Sequence, residues 1–305
     1  MPQTSVLEVS GLTRAYGRKQ ILRGIDMALE QGQLLGLLGL NGAGKTTTLE
    51  LLAGAVAPDR GSISVCGHDL QRSISAARSL IGYAPQIPAL FEDMCAEEFL
   101  AFRCRSHRLG GQSQAAVAKI CARCGLDDVR TRPIRHLSIG YRQRLNIAQA
   151  LVHSPKLVLL DEPTGGLDPF QRRETCSLIK DLARSAGVVL STHILEDIRE
   201  VATHVAVLHE GAIVYQAAQH RTENQLRVRL AAPVNRLTLE RVMGVRHAQA
   251  IEHGAWLIEL DPAVMDIPRF ASFLTSSGWG LQELAAAQEP LEEIFTDLAR
   301  GRFSP

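Results

Sequence analysis

The chain has 305 residues, enough for one ordinary domain plus a smaller one, and its 46% hydrophobic and 21% charged residues are an ordinary globular balance. Lysine plus arginine (33) nearly cancels aspartate plus glutamate (32), so a net charge of +1 gives no broad electrostatic footprint for nucleic acid or an anionic membrane surface. No apolar run approaches the roughly 18 residues needed to cross a bilayer. The N-terminal stretch Met1–Leu12 alternates like a strand and shows no basic segment followed by an apolar one, so no signal peptide is expected. These features predict a soluble, cytoplasmic chain. Six cysteines make no disulfide framework at this length. Cys121 and Cys124 are spaced as CxxC, but no second pair completes a zinc site, and they fall on one face of a predicted helix over Ala115–Cys124.

In chain order, short apolar runs alternate with helical patterns as far as about Gly211. Strands are predicted at Val6–Val9, Leu34–Leu38, Val158–Leu160, Val188–Ser191 and Val205–Leu208. Most lack polar alternation, which suits strands buried on both faces of a largely parallel sheet. A helix is predicted over Gly44–Ala53, with Gly54 just past its end. From about Met94 to Cys124 there is no strand signal, so this segment reads as a helical insertion. The alternation predicts an α/β fold with helices on both sides of the sheet.

After Gln219 the order changes. Strand Leu226–Leu230, helix Asn235–Met243, strands Val245–Glu252 and Ala255–Leu260, helix Pro268–Ser276 and strand Trp279–Ala285 follow one another. This βαββαβ order is that of a small α+β, ferredoxin-like domain. A last helix, Leu291–Leu298, follows Pro290. The expected division is residues 1–218, with the insertion at about 94–150, and residues 224–305.

Gly39-Leu40-Asn41-Gly42-Ala43-Gly44-Lys45-Thr46, followed by Thr47, matches GxxxxGK[ST] between an apolar strand and a helix. Glycines let the backbone wrap a phosphate chain and turn its N–H groups inward, and the helix N-terminus adds partial positive charge. Lys45 is expected to reach the β- and γ-phosphates and the Thr46 hydroxyl to bind Mg²⁺. Leu157-Val158-Leu159-Leu160 then ends in Asp161-Glu162. Two carboxylates there stand at the sheet's carboxyl edge, where Asp161 can hold Mg²⁺ and Glu162 can polarise the attacking water.

With Leu137-Ser138-Ile139-Gly140-Tyr141-Arg142-Gln143-Arg144 shortly before that strand, the chain resembles the ATP-binding cassette (ABC) ATPases, whose signature is LSGGQ. The resemblance covers about residues 5–215 and implies ATP with Mg²⁺, and a head-to-tail dimer in which Ser138 and Gly140 meet the γ-phosphate of ATP bound on the other subunit. It further implies that Tyr16 stacks on adenine, Gln86 links the Mg²⁺ site to the insertion, Gly166-Leu167-Asp168 touches the partner subunit, and His193 senses the γ-phosphate. Ile139 and Tyr141 depart from LSGGQ. The LSxGYRQR form resembles the ABC-2 type exporter ATPases, including those of gliding motility and daunorubicin resistance. Many of these carry a small accessory domain ending in a motif like Leu291-Glu292-Glu293-Ile294-Phe295.

The function so implied is that of an ATP-hydrolysing subunit energising export through an ABC-2 type permease on a separate chain, as a homodimer or heterodimer. It would sit on the inner face of the membrane and bind no nucleic acid. A groove for a short permease helix is expected along Gln86, Pro88, Leu90, Phe91, Met94, Phe99 and Phe102. A non-transport ABC ATPase acting on ribosomes or DNA would carry a second cassette, a long coiled coil or a basic arm, none of which the sequence shows. A P-loop kinase would not explain the signature or His193.

Overall fold

The computed structural model describes residues 5–107, 113–218, 225–251, 254–286 and 290–300. They separate into two compact units, divided between Gln219 and His220. The first begins with β1 (Ser5–Tyr16), β2 (Lys19–Glu30), β3 (Leu34–Leu38), α1 (Lys45–Leu52), β4 (Arg60–Val65), β5 (His68–Asp69), α2 (Ile74–Ser79) and β6 (Ile81–Ala84). Helices α3 (Ala96–Ser106), α4 (Ser113–Arg123) and α5 (Ile139–Leu151) follow, with no strand among the described residues between them. The unit closes with β7 (Leu157–Asp161), α6 (Pro169–Ala183), β8 (Gly187–Thr192), α7 (Leu195–Val201), β9 (His204–His209) and β10 (Ala212–Ala218).

A six-stranded sheet of order β10-β9-β3-β8-β7-β6 is the central layer, parallel except for the β9–β10 pair. Successive strand residues point to opposite faces. Leu35, Leu37, Leu157 and Leu159 therefore pack with α1 and an antiparallel sheet of order β2-β1-β4-β5, while Leu34, Val158, Leu160 and Val188 pack with residues of α3, α4, α5 and α6. Both faces of β3 and β7 are thus buried, which is why these strands are continuous apolar runs.

Two differences from the sequence reading have local causes. Strand β1 runs past Val9 to Tyr16 because register shifts between Val9 and Thr13 let the pairing with β2 and β4 continue where simple alternation breaks down. The four-stranded antiparallel sheet was not expected, since its strands are half-exposed and their pattern is diluted by charge. In the insertion, Cys121 and Cys124 are buried thiols in the core, as the helical spacing predicts, and burial pushes Cys124 up to about 12.

The second unit contains β11 (Gln225–Leu230), α8 (Arg236–Glu240), β12 (Val245–Ile251), β13 (Ala255–Leu260), α9 (Ile267–Ser276), β14 (Leu281–Ala286) and α10 (Pro290–Ala299). Its antiparallel sheet has the order β12-β13-β11-β14, which is the ferredoxin-like arrangement. Val228, Ile258, Phe270 and Leu274 form its core. Helix α8 starts where Asn235 caps the Thr238 N–H at 2.9 Å but ends before Met243, because a turn at Val242 leads into Gly244 at φ 88°. Residue 252, the expected end of β12, lies outside the described residues, as do residues 219–224 around the expected domain boundary.

Candidate functional site: a phosphate cradle at the carboxyl edge of the sheet

Four neighbouring parallel strands deliver the site. The phosphate loop leaves β3 after Leu38, Asp161 ends β7, Thr192 ends β8 just before His193, and Gln86 comes two residues after β6. Carboxyl ends of adjacent parallel strands are where α/β sheets bind ligands. Asn41, Gly42, Gly44, Lys45, Thr46, Thr47, Gln86 and Glu162 line one cleft of about 450 Å³, with Lys19 and Ile21 on its rim.

The loop's shape depends on its glycines. Gly44, at φ 110°, is the N-cap of α1. A Cβ on Gly39 would lie 2.5 Å from the Leu208 carbonyl oxygen, so that position admits only hydrogen. No side chain caps α1 and no acid occupies its first turn, so its N–H groups and positive dipole end face an incoming anion. Lys45 is buried and donates to the carbonyls of Gly39 at 2.8 Å and Leu40 at 3.3 Å.

The two carboxylates differ in their surroundings. Asp161 accepts from Ser191 Oγ at 2.5 Å through Oδ1, while its Oδ2 is buried with no hydrogen-bond partner. Burial pushes its carboxyl above the usual carboxylate range, against the opposing pull of the Ser191 and Thr46 hydroxyls. An orphaned buried oxygen beside a threonine hydroxyl and a phosphate loop fits a hard divalent cation that carries several waters. Glu162 stands one residue beyond the strand at φ 48°, a left-handed conformation that is uncommon outside glycine. Its N–H reaches Ser191 O at 3.1 Å and Ser191 Oγ at 3.2 Å, which holds the turn. Its carboxylate lies 3.4 Å from Lys45 Nζ and 2.8 Å from His193 Nδ1.

A third carboxylate organises the loops behind these groups. Asp197, buried on α7, accepts from Thr164 Oγ1 at 2.5 Å and Thr192 Oγ1 at 3.2 Å and pairs with Arg172 of α6. It therefore ties the segment after Glu162 to the segment carrying His193. Sequence reasoning missed Ser191, which only the β7–β8 register sets opposite Asp161, and Asp197, which only the packing of α7 beside the end of β8 and Arg172 of α6 brings in.

The signature residues lie apart from this cleft. Ser138 caps α5, accepting from Tyr141 N at 3.4 Å, and neither Ser138 nor Gly140 lines the cleft of Lys45. Ile139 is 64% exposed, and Phe170, after the Gly166-Leu167-Asp168 segment, is also exposed. Asp168 caps α6 by accepting from Phe170 N and Gln171 N, each at 2.9 Å. Tyr16 is half-exposed under the Arg14 guanidinium, 4.8 Å from the ring centre, and is not among the cleft-lining residues.

Phe91 is 50% exposed and packs edge-to-face on Phe99 and Phe102, at 6.0 and 5.5 Å between ring centres. Phe99 itself is core, and Met94 is partly buried against the same core. Arg142 of α5 grips Glu92 through two bonds of 2.6 and 2.8 Å, which joins the signature helix to the segment beside Phe91.

A glycine-rich loop opening a helix, a buried carboxylate oxygen without a partner and a buried glutamate beside a histidine are the parts of a P-loop ATPase site. A family model described as ABC transporter matches residues 22–165. The chain is 35% identical to the daunorubicin resistance ATP-binding protein DrrA3 of Streptomyces coeruleorubidus, over 69% of this chain and 67% of that protein. It is 27% identical to the bacitracin transport ATP-binding protein BcrA of Bacillus licheniformis, over 98% of each chain. Among solved structures it resembles an ATP binding subunit of an ABC transporter, with a TM-score of 0.64 and 28% identity over 72% of this chain and 92% of that one.

The chain belongs to the ABC transporter ATP-binding family. It is the ATP-binding and ATP-hydrolysing subunit of a transporter, a class of subunit that dimerises and works with a separate transmembrane permease. Among the described residues, no helix is long and apolar enough to cross a membrane.

Proposed function

We propose that this subunit energises export through an ABC-2 type permease, acting as a head-to-tail dimer with itself or with a homologous chain on the cytoplasmic face of the membrane. The observation that carries the reading is the joint position of Lys45, Thr46 and Glu162 in one cleft, with the His193 ring against the Glu162 carboxylate and Asp161 beside Thr46. Lys45 and the N–H groups of residues 42–47 bind the phosphates. Thr46 and Asp161, with Gln86 at the cleft wall, would hold Mg²⁺, whose charge would offset that of the phosphates. Glu162 orients the attacking water and withdraws its proton, and His193 steadies the γ-phosphate through the ring edge not committed to Glu162. Tyr16 contributes an adenine platform.

Ser138 and Gly140 complete the site of the opposite subunit, and their distance from the chain's own cleft supports that division of labour. The exporter assignment rests on the LSxGYRQR signature, on similarity to proteins named for bacitracin transport and daunorubicin resistance, and on the second unit, which the full-length match also spans.

The half-exposed Phe91 and its neighbour Leu90 offer an apolar shelf for a short cytoplasmic helix of the permease. The test is Phe91→Asp in membranes containing the assembled transporter. Loss of the co-purifying permease and of transport, with ATPase of the isolated subunit retained, supports the reading. Retention of the permease removes the groove from this position.

A further inference from the structure

Beside Phe91 lies a cleft of about 400 Å³ between the end of β6, α3 and α5, and its cationic lining is not accounted for by nucleotide chemistry. Leu90 and Phe99 form its apolar side; Arg78, Arg103, His107 and His153 form its polar side, and no lining residue is acidic. Arg78 donates to the Gly54 carbonyl. Arg103 is different: its Nε is buried with no hydrogen-bond partner, and among the described residues no carboxylate pairs with it. The two imidazoles cannot serve as its counterion. They stack at 3.9 Å and 4°, and His153 Nε2 lies 2.9 Å from the Ile81 carbonyl, so it carries the proton and leaves Nδ1 as a buried acceptor without a partner. Burial and the neighbouring cations push both rings below the ordinary histidine range, so they stand neutral beside Arg103 at pH 7.

A half-buried guanidinium lacking a counterion is a costly arrangement that a docked anion would relieve. We propose that the permease helix seated on Phe91 and Leu90 carries an aspartate or glutamate that pairs with Arg103, an inference that rests on the groove reading above. The apolar shelf and the cation share one face of α3, since Phe99 meets the Phe91 ring and Arg103 follows it by four residues. The matching helix therefore presents apolar residues with its acid about one turn away, at three- or four-residue spacing. A carboxylate there fills the open donor positions of Arg103, while His153 Nδ1 can accept from a neutral donor on the same helix. Specificity follows, because a permease helix that is apolar throughout would leave Arg103 buried and unpaired.

The test uses the complete transporter, purified from membranes through a tag on this subunit, with the permease identified by mass spectrometry. Arg103→Glu should lower the co-purified permease at least tenfold while ATPase of the isolated subunit stays within twofold. In parallel, the Arg103→Lys complex is treated with a water-soluble carbodiimide, which joins an amine to a carboxylate in contact with it through an amide and takes up the water released. The expected product is a crosslink from position 103 to an Asp or Glu in a cytoplasmic segment of the permease, and reversing that acid's charge should restore binding to Arg103→Glu. If Arg103→Glu folds and keeps its permease, the acidic pairing is wrong. If Phe91→Asp releases the permease but position 103 crosslinks to no permease acid, the groove stands and the pairing falls. If Phe91→Asp also leaves the permease bound, the groove reading itself is lost. Should Arg103→Glu misfold, the crosslink alone decides.

Discussion

The carboxylate of Glu162 meets the imidazole of His193, with Oε2 2.8 Å from Nδ1, and it does so from a backbone held at φ 48°. A non-glycine residue in that region costs on the order of 1–3 kcal/mol, which here keeps the side chain turned back toward Lys45 and the phosphate loop. The same carboxylate thus sits between the cation proposed to bind phosphate and the histidine proposed to sense it.

Glu162→Gln should preserve this geometry and ATP binding but remove the proton acceptor. Turnover should fall by about 10²–10⁴-fold, the usual contribution of a positioned general base. The variant should accumulate an ATP-bound dimer, seen as an earlier peak in size-exclusion chromatography. Wild-type turnover would take Glu162 out of the reaction.

Ser138→Arg should stop hydrolysis while leaving nucleotide affinity of the monomer unchanged, because Ser138 lies outside its own chain's cleft. Removing one transition-state donor costs roughly 10²–10³-fold. Mixed with Lys45→Ala, it should form dimers with one sound composite site and one carrying both defects. Recovery of ATPase on mixing, measured against each variant alone, checks the division between subunits.

Gly39→Ala tests the cradle without touching any charge. The added methyl would lie 2.5 Å from the Leu208 carbonyl oxygen, so β9 or the loop must move. Overpacking of this kind costs about 1–3 kcal/mol, and nucleotide affinity should drop with it. Thermal unfolding with and without ATP separates the two effects; unchanged affinity would show that the loop tolerates a side chain there.

His153 gives a pH signature. Burial, then His107 and Arg103, hold it at about 4, below the ordinary 6.5. Between those values the unfolded chain takes up a proton that the folded chain refuses. Stability is therefore full above about pH 6.5 and falls as pH drops toward 4, by on the order of 2 kcal/mol after allowance for solvent screening. His153→Gln should flatten that part of the profile in urea unfolding at pH 7 and pH 4.5; an unchanged slope would assign the acid sensitivity elsewhere.

Local chemistry made the candidate nucleotide site readable in one dimension. A phosphate loop, two acids at the end of an apolar strand and a histidine after another each occupy a short segment, and buried parallel strands announce themselves as apolar runs because both faces are covered. The ferredoxin-like unit was legible for a similar reason, since its strands alternate about a single core that includes Val228, Ile258 and Phe270. What the chain alone did not reveal depends on contacts between distant segments. The β7–β8 register sets Ser191 against Asp161, the left-handed turn aims Glu162, and Asp197 gathers Thr164, Thr192 and Arg172 from a loop, a strand and a helix. No sequence motif singles out Arg103; only the packing of α3 beside His153 and the end of β6 leaves it, among the described residues, without a carboxylate partner. Register, burial and charge pairing are properties of the assembled layers, so they arise only when the layers close.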